Sequence, residues 1–231
     1  MKTTGIPEST IDFLVELGQN NNREWFNENK DRYLAEEEKM REFAEALHSA
    51  MSKHDHLEPM SGKEILFRIY RDTRFSKDKS PYKAHRSGSF KRATARLRGG
   101  YYFHIEPGDN SFLAGGFWRP EKEDLDRIRQ EIDFDDKPLR KIINQKKFRE
   151  TFGGFHGEQL KGAPRGYAKD HPAIDLLRNK SFVVIRQFKD KQVTDNSFLT
   201  EANNTFKALR PFFDYMSEVL TTDANGRSII D

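Results

Sequence analysis

The residues best suited to chemistry lie between positions 63 and 98, where positive charge is concentrated. This basic segment holds twelve lysines and arginines but only three acidic residues, which gives it a net charge of +9. The whole chain carries +3, so the rest of the sequence is acidic on balance. So uneven a distribution predicts one local basic surface, not a protein that is basic throughout.

Arginines dominate the centre of the basic segment. Apolar and polar side chains alternate from Lys63, which predicts a strand with Arg68, Asp72 and Arg74 on one face and Arg71 on the other. Guanidinium groups match the planar oxygens of carboxylates and phosphates. The segment therefore predicts a site for a small phosphorylated or carboxylated ligand, with Asp72 as a candidate for proton transfer. Its predicted ligand-binding residues are Arg68, Arg71, Arg74, Lys79 and Lys83.

Two other interpretations of the basic segment stay open. Asp72 and Asp78 could neutralise two of the arginines, and the resulting ion-pair network would then pin a loop to a sheet without binding a ligand. Alternatively, the segment could be a nucleic-acid-binding surface, because aromatic residues that could stack on bases lie among its charges. Those residues are Phe75, Tyr82 and Phe90. No recognised nucleic-acid motif accompanies them.

A second candidate is the glycine-rich loop, residues 153–171. Gly153, Gly154 and Gly157 free the backbone, but their spacing matches neither a Walker loop nor a dinucleotide fingerprint. The loop is either a plain surface turn or a lid, since a lid that excludes water strengthens the charge contacts beneath it. As a lid, it would close over the basic segment, so that both form one cleft. Its predicted contributions are Lys161, Arg165 and Tyr167 for binding and His171 for proton transfer.

Other familiar catalytic patterns are missing from the sequence. The seven histidines are scattered, no HExxH or similar ligand spacing occurs, and the chain has no cysteine. We therefore expect no metal site and no cofactor, and thiolate catalysis is excluded. A GxSxG nucleophile motif is also missing. The sequence leaves open whether the protein is an enzyme.

The elements that position these residues follow from apolar spacing. Apolar side chains recur every seven residues between about 21 and 51 and predict a long N-terminal helix. The other face of this helix is acidic, and it is either solvated or a docking surface for a protein partner. A long C-terminal helix is predicted over 197–220, with a kink at Pro211. Trp118 is expected to lie in the core.

Strands are predicted between these helices. Residues 100–106 and 111–118 form a hairpin around the turn 107–110, and Tyr102, His104 and Glu106 share one face of its first strand. Besides the strand from Lys63, the predicted strands cover residues 86–92, 100–106, 111–118 and 182–188. Hairpin-linked strands flanked by helices predict an α+β fold with a mainly antiparallel sheet. Without a repeat or a convincing linker, we expect a single domain over 1–231, with a loose tail at about 221–231.

The run from Phe67 to Lys83 reads FRIYRDTRFSKDKSPYK and resembles the hallmark of a conserved bacterial family, domain of unknown function 2461. Shorter stretches extend the resemblance over about residues 5–220. They are Trp25-Phe26, Gly115–Pro120, Leu160-Lys161, Pro164–Tyr167 and His171-Pro172. The resemblance implies an uncharacterised family without an established activity. It supports the single domain and leaves the function to be argued from the chemistry of the residues.

Composition bounds the class of protein. Of 231 residues, 35% are hydrophobic and 12% aromatic, which is enough for a sizeable core and too much for a disordered chain. No apolar run approaches the roughly 18 residues needed to cross a bilayer, and the N-terminus lacks the apolar stretch of a signal peptide. We expect a cytoplasmic protein without a membrane partner, and the sequence leaves its oligomeric state open.

Overall fold

The structure is a computed structural model that describes residues 4–223 and 225–230. Within these residues it contains eleven helices and four strands. The helices are α1 (Glu8–Gln19), α2 (Arg23–Glu28), α3 (Lys30–Met51), α4 (Gly62–Ile65), α5 (Lys122–Phe134), α6 (Lys137–Ile143), α7 (Lys146–Phe152), α8 (Ile174–Leu177), α9 (Asp190–Thr194), α10 (Phe198–Ala208) and α11 (Arg210–Thr221). The strands are β1 (Arg86–Lys91), β2 (Gly100–Ile105), β3 (Ser111–Phe117) and β4 (Phe182–Phe188). None of the described helices is long and apolar enough to cross a membrane.

The four strands form one antiparallel sheet in the order β1-β2-β3-β4, flanked by helices. This confirms the predicted α+β fold and the four predicted strands. The turn between β2 and β3 contains Gly108 and Asp109 at φ 83° and 63°, as a tight turn rich in glycine and aspartate allows. Tyr101, Phe103 and Ile105 are buried on one face of β2, so the predicted alternation along this strand is also confirmed.

The strand predicted from Lys63 is wrong, since no strand forms before β1 among the described residues. Residues 62–65 form helix α4, because Ser61 caps this turn and Glu64 accepts a hydrogen bond from the Ser61 backbone N–H at 2.8 Å. The chain then runs extended without forming a named strand. It makes only isolated bridges, from Leu66 to Gly88 and from Tyr70 to Tyr82.

Both long helices are interrupted. The N-terminal one is divided at Asn29, whose side-chain amide donates to the carbonyl of Trp25 at 2.9 Å and so ends α2. The C-terminal one is divided at Leu209. Pro211, which has no N–H to donate, stands in the first turn of α11. Each predicted helix is therefore a pair of shorter helices.

The chain divides into two compact units. Unit 1 comprises the described residues of 1–90, 102–113 and 187–204, and unit 2 those of 91–101, 114–186 and 205–231. In the second unit, α5 and α6 pack against α11. The expected single domain stays a prediction.

A cluster rich in aromatic residues forms one part of the core of unit 1. Phe13, Leu14 and Leu17 of α1 pack with Phe26, Ile69 and Tyr82. The rings of Phe26 and Tyr82 stack with centroids 3.9 Å apart. Because Ile69 and Tyr82 flank the centre of the basic segment, this cluster anchors the segment at both ends.

Two sequence expectations about exposure were wrong. Trp118 is 64% exposed, and the Arg119 guanidinium lies 5.5 Å from the centroid of its ring. It is exposed because it follows the last residue of β3, where strand alternation no longer directs a side chain into the core. On α3, Glu36 and Glu37 are buried although they belong to the predicted acidic face. Glu36 accepts a hydrogen bond from the Thr10 hydroxyl at 2.7 Å, so part of that face turns inward toward α1.

Candidate functional site

The centre of the basic segment is an extended loop in unit 1 that folds back on itself. The backbone N–H of Arg71 donates to the Pro81 carbonyl at 2.9 Å, and that of Lys83 donates to the Ile69 carbonyl at 2.8 Å. The tip between these bonds has no regular structure and is largely exposed. The loop therefore presents its charged residues to solvent while its two ends are held in the core.

Two of the arginines in this loop form ion pairs with neighbouring aspartates. Arg71 donates to Asp78, and Arg74 Nη2 donates to Asp72 Oδ2 at 2.7 Å. The bond from Arg71, together with bonds from the Ser80 hydroxyl and N–H, holds the pKa of Asp78 well below its usual range. The bonds from Arg74 likewise lower the pKa of Asp72, which makes that carboxylate a weak base. The ion-pair network that the sequence allowed is therefore present.

The Arg71 pair is exposed, and we expect Arg71→Ala to change thermal stability very little. The Arg71 side chain is 28% exposed and that of Asp78 is 57% exposed, so removal of the arginine leaves a hydrated carboxylate. Exposed ion pairs contribute little to stability, and the expected shift in melting temperature is below about 3 °C. Differential scanning calorimetry of the wild type and the variant measures it. A larger loss would show that Arg71 anchors the loop.

Arg68 and Lys83 carry charge that no ion pair neutralises within the described residues. Lys83 Nζ donates to the Arg68 carbonyl at 2.8 Å and lies 5.9 Å from the Phe67 ring centroid. Burial lowers the pKa of the Lys83 ammonium, and the charges of Arg86 and Arg68 lower it further. Lys79 is similar in that its ammonium donates to a backbone carbonyl, that of Thr73, at 2.9 Å. The predicted binding residues of this loop thus form two groups. Arg71 and Arg74 are paired with aspartates, whereas Arg68, Lys79 and Lys83 form no ion pair with a described residue.

A cluster that the sequence analysis missed lies in the same unit. His85, His104 and Glu106 each offer one nitrogen or oxygen atom, and these atoms all lie within 4.8 Å of one another. His104 Nε2 is 2.7 Å from Glu106 Oε2, and the two imidazole centroids are 4.2 Å apart. We refer to these residues as the His–His–Glu cluster.

The surroundings of the cluster are partly buried and aromatic. Tyr102 Oη lies 3.0 Å from His104 Nδ1, and the Phe112 ring stacks on the His104 ring with centroids 4.7 Å apart. Burial, and then the charges of His104 and nearby cations, lower the pKa of His85 to about 4. The His85 imidazole is therefore neutral at neutral pH.

The sequence did contain a signal for this cluster. Tyr102, His104 and Glu106 alternate along β2 and just past its end, as predicted, whereas spacings such as HExxH describe metal ligands on a helix and not on a strand. His85 joins them because it directly precedes β1, and β1 pairs with β2. Strand pairing cannot be deduced from spacing along the chain alone.

The glycine-rich loop belongs to unit 2. It is tied down at two points, by a bridge between His156 and Val183 and by another between Gln159 and Asn179. Lys161 and Arg165 are exposed, whereas Tyr167 is half-buried with its ring 6.4 Å from that of His171. The loop is therefore held to other parts of its own unit. A cleft shared with the basic segment stays a prediction.

His171, the other candidate for proton transfer, uses both ring nitrogens. Nε2 lies 3.0 Å from Asp133 Oδ1, and Nδ1 accepts a hydrogen bond from the Ala173 backbone N–H at 3.0 Å. This arrangement fixes the start of α8 and leaves neither nitrogen free for a substrate. Within unit 2, a structural role accounts for His171 without catalysis.

The stacking residues suggested for nucleic acid differ sharply in exposure. Phe75 is 95% exposed, but Tyr82 and Phe90 are 4% and 1% exposed. Two of these three aromatic side chains are core residues and cannot stack on bases. Most of the aromatic residues suggested for stacking thus serve to pack the core.

A family model described as a conserved hypothetical protein (DUF2461) matches residues 9–215. No curated protein and no solved structure matches the chain.

Proposed function

The chain belongs to the DUF2461 family of conserved hypothetical proteins, and we propose that it binds a small phosphorylated or carboxylated ligand at its basic segment. Lys83 and Arg68 would be the primary contacts. Lys79 would add a third cation from the exposed tip of the loop. Arg71 and Arg74 would orient this loop through their aspartate partners and contribute only secondary contacts to the ligand.

The observation that carries this proposal is that neither Lys83 nor Arg68 forms an ion pair with a described residue. In addition to the hydrogen bonds from Arg74, the charge of Arg68 does lower the pKa of the Asp72 carboxyl. The Lys83 ammonium contacts the Arg68 carbonyl and the face of Phe67, and it forms no ion pair with any described residue. Like charges held close together repel each other, and partial burial increases the cost. An anion bound between them would remove this repulsion, so the site gains more from a ligand than an exposed lysine would.

Aromatic side chains border the proposed site. Phe67 is 43% exposed, and its ring centroid lies 6.3 Å from that of Tyr102. An apolar wall beside a cation limits the access of water and strengthens the charge contact with a ligand. Ligands that combine an anionic group with a small apolar or planar part fit this surface best.

The experiment is a thermal-shift series with phosphate, pyrophosphate and citrate as probes, in the presence of the neutral chelator 1,10-phenanthroline. A probe at 100 times its dissociation constant stabilises the folded state by about 2.7 kcal/mol, equivalent to about 5–10 °C for a chain of this size. We expect such a rise in wild type for at least one probe, and its loss in Lys83→Met and in Arg68→Gln.

Lys77→Met is the matched control, because it removes the same charge from an exposed position in the same loop. It should keep the wild-type response. An equal loss in Lys77→Met would show that the effect is only general electrostatics, and an absent response in wild type would refute the site. Saturable oligonucleotide binding at physiological salt would instead favour the nucleic-acid-binding alternative.

A further inference from the structure

We propose that His85, His104 and Glu106 bind a divalent transition-metal ion. Their candidate ligand atoms all lie within 4.8 Å of one another. Among the residues that the structure describes, no other group of three or more histidine and carboxylate side chains meets this geometry. The proposal goes beyond the anion site and does not depend on it.

The fold presents these ligands from regular structure. His85 directly precedes β1, and His104 and Glu106 lie two residues apart on one face along β2 and just past its end. Because β1 and β2 are neighbours in the sheet, the three side chains project from a hydrogen-bonded scaffold. Of the three, His104 lies within a strand and the other two lie one residue outside one, and ligands held by regular structure keep their positions better than ligands held on loops.

The donor set selects a class of ion. Two imidazoles and one carboxylate are typical of catalytic zinc sites and of non-haem iron(II) sites, whereas magnesium prefers oxygen ligands alone. Bonds of about 2.1 Å place the donors of one ion about 3–3.5 Å apart. The separations here are at most 4.8 Å, so the side chains need to close by no more than about 1–2 Å around an ion. Three protein ligands leave coordination positions open for water or a substrate.

The residues behind His104 suit a metal ligand. Tyr102 Oη lies 3.0 Å from His104 Nδ1. If Nε2 binds the metal, Nδ1 carries the hydrogen and donates it to the Tyr102 hydroxyl. Such an outer hydrogen bond orients the imidazole, and its loss typically weakens metal affinity about 10–100-fold. Phe112 stacks on the same ring and restricts its rotation.

Nearby positive charges oppose the ion, and most of them are compensated. Arg86 and Arg71 lie close to His85, but Arg86 is paired with Glu37 and Arg71 with Asp78. Lys83 is the uncompensated cation near His85. Glu106 supplies one negative charge, and its side chain is 40% exposed, which provides an entry path from solvent.

The test uses the full chain, stripped with EDTA and titrated calorimetrically with ZnCl₂ in a buffer that does not bind zinc. We expect one saturable site per chain, no binding of Mg²⁺, and visible d–d absorption when Co²⁺ replaces zinc. Glu106→Gln and His85→Asn should weaken zinc binding at least about 100-fold, and Tyr102→Phe about 10–100-fold.

His48→Asn is the control. His48 is a half-buried histidine of the same unit, but it hydrogen-bonds a backbone carbonyl, that of Glu58, and lies outside the cluster. It should bind zinc as wild type does. Glu106→Gln keeps the size of the side chain and a hydrogen bond to His104, so a folding defect in a histidine variant does not prevent the test.

Two results would overturn the proposal. One is the absence of saturable zinc binding to the wild-type chain. The other is wild-type affinity in Glu106→Gln and His85→Asn, which would place the zinc elsewhere. Because the anion series is run with a neutral chelator and the zinc titration without added anion, either site can fail without affecting the test of the other.

Discussion

Arg86→Ala should lower the free energy of unfolding by about 3–5 kcal/mol, because it leaves the buried Glu37 carboxylate without its counter-charge. Arg86 Nη2 lies 2.7 Å from Glu37 Oε2 and donates a hydrogen bond to Oε1 at 2.8 Å. The two side chains are only 4% and 9% exposed. Loss of this buried pair should therefore lower the free energy of unfolding far more than loss of the exposed pair between Arg71 and Asp78. Urea unfolding measures the difference.

The double variant Arg86→Met/Glu37→Met separates the charge from the packing. Replacing both members of a buried ion pair with apolar residues is often neutral, so most of the lost stability should return. Arg74→Ala is the matched control for removal of an arginine, since the Arg74 side chain is 77% exposed, and it should unfold close to wild type. A single variant as stable as wild type, or a double variant no better than the single one, would contradict the assignment.

Gly116→Ala should destabilise the fold by at least about 3 kcal/mol or prevent folding. Gly116 lies in β3 at φ 136°, a conformation that L-residues rarely adopt. A Cβ at this position would be 2.1 Å from the Phe182 carbonyl oxygen and 2.8 Å from Val183 Cα. Both neighbours are backbone atoms of β4, which cannot move aside as a flexible side chain does. β3 and β4 would have to separate locally, with loss of packing as well as backbone strain.

Gly154→Ala is the control, because a Cβ there would meet no atom within 4 Å. We expect this variant to unfold within about 1 kcal/mol of wild type. Soluble yield, circular dichroism and urea unfolding of both variants provide the comparison. Equal stability of the two would mean that β3 and β4 tolerate a side chain between them.

The strands could be predicted from the sequence because their signals are local. Apolar alternation and the turn 107–110 defined β2 and β3, and the apolar run 182–188 defined β4. The helices were harder, because an apolar stripe continues across a break. One break depends on Asn29, whose side-chain amide donates a hydrogen bond to a carbonyl at the end of α2. The other depends on Pro211, which lies in the first turn of α11.

Most of the contacts that define the candidate sites could not be predicted from the sequence, because they join residues that are far apart along the chain. Arg86 and Glu37 are 49 residues apart, and no spacing rule connects them. The His–His–Glu cluster depends on which strands pair. By contrast, the pairing of Asp72 and Asp78 with arginines was among the predictions, because those partners lie within one loop.

The isolated bridges from Leu66 to Gly88 and from His156 to Val183 also cover the two edge strands of the sheet. β1 and β4 are its outermost strands, and unpaired N–H and C=O groups on such strands invite intermolecular pairing and aggregation. Along β1, the Phe67 N–H donates to the Ser87 carbonyl at 2.9 Å, and along β4, the His156 N–H donates to the Val183 carbonyl at 2.7 Å. The chain just before β1 in the basic segment thus covers one edge of the sheet, and the glycine-rich loop covers the other. Changes in either segment that break these hydrogen bonds are therefore expected to expose a strand edge and to promote aggregation.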